Sequence, residues 1–567
     1  MGYLPVGTRR ALAVGARAPV MSPTLRFPVL VALLIGGLGA SVRADGPPDS
    51  AVATAIADHL AREDPLVVAG VALDGAQVRM LYEGRSGSPL WRGRVDAVTK
   101  VLGAAATEGL DPATYHPSAI AARATPHSAE DAAALDLLVS DAVLRYAHDV
   151  RFGRSRPTRV TSDVALETPV DPVPLVRAVA AASDPGGAMH ALPPKHLAYR
   201  ALRDALATYR ATFSEGKRWP VVPEGPTLRQ GANDAAVPAL RARLAASGEL
   251  AHDGTPGSRH YDPELVAAVK TFQERHGLVA DGVVGPRVRA ALDVGLAERI
   301  QQIIVNMERW RWLPEDLGDR RVMVNIAAAR LRLVDDGAPQ VEMPVIVGEA
   351  DKMTPMFSSA ITYVIFNPTW TVPDKIARKE LLPKVQHDSA YFERQGIHLI
   401  GGWQPAHADD DPAKLDWAGA HGAAGFRLRQ APGPQNPLGR VKFHIPNVFG
   451  VYLHDTNSRS LFRRERRTLS HGCVRVGAAL DLANHLLEGS TGWSEEREAR
   501  ILSGWKTTTI TLAPPVAVHL LYETAWVDAA GQVIFVEDPY GRDRRLADAM
   551  AGRAVEPVSE RVQTAAP

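Results

Sequence analysis

The feature that most constrains this chain is a change of hydrophobic period near Arg320. Before it, apolar residues recur at helical spacing, most clearly in LDLLVSDAVLRYAHDV at residues 135–150. After it the period is two. Val322, Val324 and Ile326 alternate with other residues, Leu331 and Leu333 follow, and Asp335-Asp336-Gly337 carries hairpin-turn chemistry. PVIVGEA, ITYVIFNP, VKFHIP, VYLHDT, TTTITLA and GQVIFVEDP continue the strand pattern, and one amphipathic helix, AALDLANHLLEG, interrupts it. Side chains with these two periods build different layers, so the chain needs a helical core and a separate β-rich one. A length of 567 residues suits three or four domains.

The ends read differently. Arg9, Arg10, Arg17 and Arg26 precede an uncharged run, residues 27–42, that closes in small residues before Ala44 and Asp45. This is the order of a secretory signal peptide, over residues 1–44. Membrane attachment follows only if that segment stays uncleaved; a twin-arginine signal or a start at Met21 are variants of the reading. Removing the segment's five arginines takes the net charge from +1 to 59 − 63 = −4. A weakly acidic mature chain argues against nucleic acid as a partner. The expected location of the mature chain is outside the cytoplasm. The expected layout is a helical scaffold over 45–225, a small module over 226–296, a linker helix over 297–319, a β-rich domain over 320–545 and a disordered tail over 546–567. Residues 384–440, rich in Gly, Asp, Pro and His and carrying Trp403 and Trp417, interrupt the β-rich part as a capping insertion.

The small module contains three helical stripes: Val237, Leu240 and Leu244; Leu265, Val269 and Phe272; Val288, Ala291 and Leu292. Its LRQG opening, its AVKTFQERHGL helix and its DGVVGP turn resemble the peptidoglycan-binding family 1 domain. The resemblance implies binding of wall glycan or its peptides; an architectural spacer is the alternative.

Cys473 is the one cysteine, so it forms no intramolecular disulfide and no multi-cysteine metal site. An exported lone thiol is a liability without a structural use. Cysteine is commonly a buried small hydrophobe, but Ser470-His471-Gly472 before it and Arg475 after it are not an apolar run. A nucleophilic thiol needs a base or a nearby cation. His454 ends a strand, whereas alternation aims His471 away from the sulfur, so His454 is the better base. Gly472 allows close backbone approach, and the amides of Gly472 and Cys473 are candidate oxyanion donors. A His-His-Cys zinc site lacks an evident fourth ligand. The run from Arg463 to Arg467 reads as a solvated face, leaving Arg475 as the arginine of interest.

HDT at His454 and SHGCVRV at Ser470, with 15 residues between His454 and Ser470, resemble the L,D-transpeptidase catalytic domain of the YkuD type. MLYEGRSGSPLW, EGLDPATYH, NMERWRWLP and TPMFSSAITYVIFNPTWTVP resemble its large Gram-negative form, with scaffold, peptidoglycan-binding module and capped catalytic domain. The implied fold is a multidomain chain ending in a mixed β-sandwich. The implied roles are Cys473 as nucleophile, His454 as base, Ser470 and His471 as orienting groups, and Arg475, Tyr452 and Trp370 as substrate-binding residues. Asn457 stands where relatives often have proline. The implied activity is formation of 3→3 peptidoglycan cross-links through a cysteine thioester, with acylation by carbapenems and with no metal or organic cofactor. Peptidoglycan stem peptides and glycan are the expected partners, and a D,D-carboxypeptidase would supply the tetrapeptides. The alternatives are an L,D-carboxypeptidase or endopeptidase on the same site, or a non-catalytic wall-binding scaffold.

Overall fold

The computed structural model describes residues 47–166, 170–251, 257–401 and 426–554. The signal segment, Trp403 and Trp417, and residues 555–567 of the expected tail lie outside the described residues. Among the described residues, no helix is long and apolar enough to cross a membrane.

The N-terminal region is built around helix α1 (Ala129–Phe152), capped by the Ser128 hydroxyl, which accepts from the Asp131 N–H at 3.0 Å. From Ala133 onward nearly every side chain of α1 is buried, because shorter helices surround it. The burial includes polar groups. Asp136 accepts from the Leu90 and Trp91 N–H groups, and Asp141 accepts from the Asp74 N–H at 2.7 Å.

Two pieces of this region leave it. Strand β1 (Val164–Ala165) pairs parallel with a strand of the β-rich domain, and α2 (Leu197–Ser214) sends Tyr199, Leu202 and Leu206 into that domain's core. The module that follows packs α3 (Val237–Ser247), α4 (Pro263–Arg275) and α5 (Pro286–Asp293) around Leu240, Leu265, Phe272 and Leu292. The expected linker helix is a core element: α6 (Leu296–Arg311) buries Ile303, Val305, Met307 and Trp310. Its Arg311 donates to Glu308 at 2.7 Å and to the Tyr199 hydroxyl at 2.9 Å, tying α6 to α2.

The strands of the β-rich domain are β2 (Arg321–Asn325), β3 (Arg330–Asp335), β4 (Ala338–Gly348), β5 (Met356–Phe366), then β6 (Trp370–Thr371), β7 (Ile397–Gly401) and β8 (Phe426–Gln430) in the insertion. Next come β9 (Val441–His444), β10 (Leu453–His454), β11 (Thr468–Ser470), β12 (Val474–Val476) and β13 (Thr508–Leu521). The expected hairpin forms at Asp336 and Gly337, both with positive φ, as a tight two-residue turn between β3 and β4 demands. The main sheet runs β9-β10-β12-β4-β3-β2-β13-β5-β1, with β11 beside β4. It is mixed, and β9 also pairs with β5, which closes it. This corrects the expected β-sandwich: two layers would leave edges on both sheets, whereas one long strand, β5, accepts β13 on one edge and β9 on the other. Helix α7 (Ala479–Leu487) buries Leu482 and Leu486, and α8 (Arg542–Met550) buries Leu546 and Met550. The chain therefore stays ordered beyond 545, where the tail was expected to begin.

The insertion starts before residue 384. Strands β6, β8 and β7 form a separate sheet, and Val372, Leu381, Val385, Phe392 and Leu428 give it a core of its own. Arg287 of the module pairs with Glu465 at 2.5 Å and with Glu537 at 2.8 Å. Beside these pairs lies a cleft of about 870 Å³ lined by Arg287, Arg330, Glu465 and Trp526. Cys473, His454 and Tyr452 do not line it, so the thiol is located by strand geometry and not by cavity size.

Candidate active site

Strand β10 lies between β9 and β12. Lys442 is opposite His454 across the first pair, and Arg475 is opposite His454 across the second. Phe443, Leu453 and Val474 are fully buried on one face. Period-two alternation puts Lys442, His454 and Arg475 on the other face, with Tyr452 and Cys473 one rung back. Four of the eight predicted residues thus meet on one sheet face, and a fifth, Trp370, reaches them from β6. The sequence folds this way because VKFH, VYLH and CVRV each alternate apolar with functional residues.

Cys473 is half-buried. Burial pushes its thiol up, opposed by the Tyr452 backbone N–H and phenol and by the charges of Lys442 and Arg475. Tyr452 hydrogen-bonds both the Cys473 sulfur and the Trp370 side chain, and its own pKa is driven well up, first by burial and then by Cys473. Lys442 holds its ammonium 3.9 Å from the centroid of the Tyr452 ring, in cation–π contact.

His454 is 5% exposed. Burial pushes its pKa down to about 3, aided by Arg475 and Lys442 and opposed by the hydrogen bond to Asp455. Its Nδ1 lies 2.5 Å from the Asp455 carbonyl oxygen. A carbonyl only accepts, so Nδ1 carries the hydrogen and Nε2 keeps its lone pair. The ring is therefore neutral near pH 7 and in the tautomer of a base. The Asp455 carboxylate, 2% exposed, accepts from the Arg440 N–H and from Arg459, both at 2.8 Å, and so fastens the end of the insertion to the histidine strand. A side chain at Gly439 would meet that carboxylate at 2.3 Å, which explains the glycine.

The remaining predicted residues shape the turn before the thiol. Gly472 has φ +112°, a conformation that favours glycine. Its amide corrects one expectation: the Gly472 N–H donates to Ser470 Oγ at 3.1 Å, so it is engaged inside the turn and Cys473 N–H remains as the candidate oxyanion donor. The Ser470 hydroxyl in turn donates to the Cys473 carbonyl at 2.6 Å. His471 turns outward and meets Glu380 of the insertion at 2.6 Å, away from the sulfur. Of the arginine run, Arg463, Arg464 and Arg466 are exposed, whereas Arg467 donates to the Ala328 and Ala329 carbonyls at 3.3 Å.

Sequence reasoning missed three groups. Lys442 was signalled only by its place in the VKFH alternation. Thr354 is buried and donates to the Gly472 carbonyl at 2.8 Å, and Tyr540 donates to the Gly348 carbonyl at 2.7 Å while accepting from the Thr354 N–H. No local pattern marks either of these as a brace, because their partners lie more than 100 positions away in the chain. Among the described residues, no group of His, Cys, Asp and Glu could hold a metal ion.

Three stretches of the chain match known families. Residues 319–497 match the YkuD family, described as the L,D-transpeptidase catalytic domain. Residues 76–206 match a scaffold domain family, and residues 233–292 match a family described as "Putative peptidoglycan binding domain". A protein of Haemophilus influenzae named "Putative L,D-transpeptidase" is 35% identical over 246 residues, 43% of this chain and 49% of that protein. The N-acetylmuramoyl-L-alanine amidase CwlL of Bacillus licheniformis is 42% identical over 69 residues, 12% of this chain and 19% of the amidase. The chain thus spans about half the length of the first of these curated relatives and about a fifth of the second. A solved L,D-transpeptidase from Xylanimonas cellulosilytica aligns over 53% of this chain and 98% of its own, at 17% identity and a TM-score of 0.17.

Proposed function

We propose, from the premise that this chain joins a YkuD-type L,D-transpeptidase catalytic domain to a scaffold domain and a peptidoglycan-binding domain, that it forms 3→3 cross-links between peptidoglycan stem peptides. The observation that carries the reading is the contact of His454 Nδ1 with the Asp455 carbonyl, which leaves Nε2 its lone pair, on the strand beside the one that Cys473 leads into.

In this reading His454 Nε2 takes the Cys473 proton as sulfur attacks the carbonyl between the third and fourth residues of a stem tetrapeptide. Charge collects on the carbonyl oxygen, where the Cys473 N–H is the available donor. His454 returns the proton to the departing D-amino acid amine, leaving a thioester. The side-chain amine of a second stem, on a meso-diaminopimelate residue, then attacks the thioester and releases the thiol. Water in place of that amine would make the same site a carboxypeptidase. Trp370 and Tyr452 form the wall shared with the insertion, whose role is to keep water out. The thiol is also the group a carbapenem would acylate. Export to the periplasm follows from the signal-like segment at 1–44 and supplies access to the wall.

The test is incubation of the purified chain with disaccharide-tetrapeptide. Mass spectrometry should show 3→3 dimers, and a carbapenem adduct on Cys473 that Cys473→Ala abolishes. Hydrolysed tripeptide without dimers would assign the carboxypeptidase instead, and neither product nor adduct would leave only wall binding.

A further inference from the structure

The proposed chemistry creates a charge problem that His454 does not solve in the resting site. A neutral imidazole can accept the thiol proton, but until it does there is no imidazolium beside the sulfur. Burial meanwhile opposes formation of a thiolate. The charged groups that bear on Cys473 are Lys442 and Arg475. Arg475 is shared, because it also acts on His454 and faces Glu349.

Lys442 is placed differently. It stands directly across the β9–β10 ladder from His454, and its ammonium rests on the face of the Tyr452 ring whose hydroxyl bonds the sulfur. The other titratable groups around it are His444 on its own strand, Tyr452 and His454 on β10, and Cys473 and Arg475 at β12. No carboxylate partner of Lys442 is present among the described residues, and burial lowers its own pKa while Cys473 raises it. An ammonium that is partly desolvated and has no acid beside it is unfavourable unless an anion forms there. The stacked Tyr452 ring fixes where it points.

We propose that Lys442 is a positioning residue for the thiolate: its ammonium, held on the Tyr452 ring, is the fixed countercharge for Cys473 sulfur. The inference rests on Cys473 being the nucleophile, as above, and names the group that sets its reactivity. When the thiol proton moves to His454 Nε2, one negative charge appears on sulfur and one positive charge on the imidazole. Lys442 stabilises the first and penalises the second. It therefore favours a thiolate whose proton has left for solvent at moderately alkaline pH over a long-lived thiolate–imidazolium pair.

The experiment is the pH profile of Cys473 alkylation by iodoacetamide in the full-length chain, for the parent, Lys442→Met and Lys442→Arg. In Lys442→Met the midpoint should rise by about one pH unit, which is about a tenfold slower reaction below the midpoint. Lys442→Arg should restore most of the parent profile. A folded Lys442→Met with an unchanged midpoint overturns the proposal. A second measurement needs no substitution at Lys442: the ammonium is followed by NMR after isotopic methylation, which keeps its charge. Neutral carboxamidomethylation of Cys473 should lower the pKa of Lys442, and an unmoved titration again overturns it. Alkylation is read without any stem peptide, so a shifted midpoint alongside absent dimers would uphold Lys442 while refuting transpeptidation.

Discussion

Asp141 in the helical region and Cys473 in the sheet are both acids set against packed structure, yet they end on opposite sides of their usual pKa. Burial pushes Asp141 up, but His116 at 2.7 Å, Arg145 and the Asp74 N–H more than reverse it, and the carboxyl lies below its ordinary range. Burial pushes Cys473 up as well, and there Tyr452, Lys442 and Arg475 fall short. In the helical region Asp141 is paired on every side and helps fix the structure, although burial still holds Asp136 on the same helix above its ordinary range. The sheet leaves its acid undersatisfied, and the deficit is what a reaction can use.

The comparison breaks most severely at His454. His454→Gln keeps a polar side chain but removes the base, and the rate of Cys473 acylation should fall by about a hundredfold to ten-thousandfold. Intact-mass kinetics with a carbapenem would read it, and a loss under threefold would remove His454 from the chemistry. The mirror experiment is Asp141→Ala. It strands Arg145, His116 and a backbone N–H and should cost about 3 kcal/mol of stability by denaturant unfolding. The acylation rate per folded molecule should stay at the parent value, and a matching fall would mean that the helical region reaches into the catalysis.

The smallest effect sharpens the comparison with a third acid. Burial raises Glu523, in the β-rich domain, to about 7, against which Arg332, the Trp310 indole at 3.1 Å and Arg309 act. An unfolded glutamate titrates near 4.3, so the folded state holds the proton more tightly. Its stabilising effect is complete below about pH 4 and is lost as pH rises through about 7. Glu523→Gln, which does not titrate, should match the parent at pH 4 and melt about 2 °C higher at pH 8. Equal melting temperatures at both values would show that the group is not protonated in the fold.

What was legible in the sequence follows from periodicity and local turn chemistry. The three stripes of the module, the Asp336-Gly337 hairpin and the SHGC turn each depend on residues close together in the chain. Alternation also turned His471 away from the sulfur and left His454 as the base, whereas Tyr452 was marked only by the family resemblance. It did not tell which strand lies beside which, so closure of the sheet through β5 and β9 was read as a sandwich. Nor does it count hydrogen-bond donors: the Gly472 amide looked free until the Ser470 hydroxyl was seen to occupy it. Lys442 escaped notice because a lysine on a strand is usually a solvated residue, and only the Tyr452 ring beneath it gives it a direction.

Strand β1 and helix α2 precede the module in the chain but belong to the core of the main sheet that follows it. Order of synthesis and order of assembly therefore diverge. The early segment emerges with its apolar side bare and must wait for more than a hundred later residues before that side is covered. A fragment excised at residue 297 would carry every residue of the candidate site and still lack part of its own interior, so the shortest self-sufficient unit is longer than the stretch that holds the site.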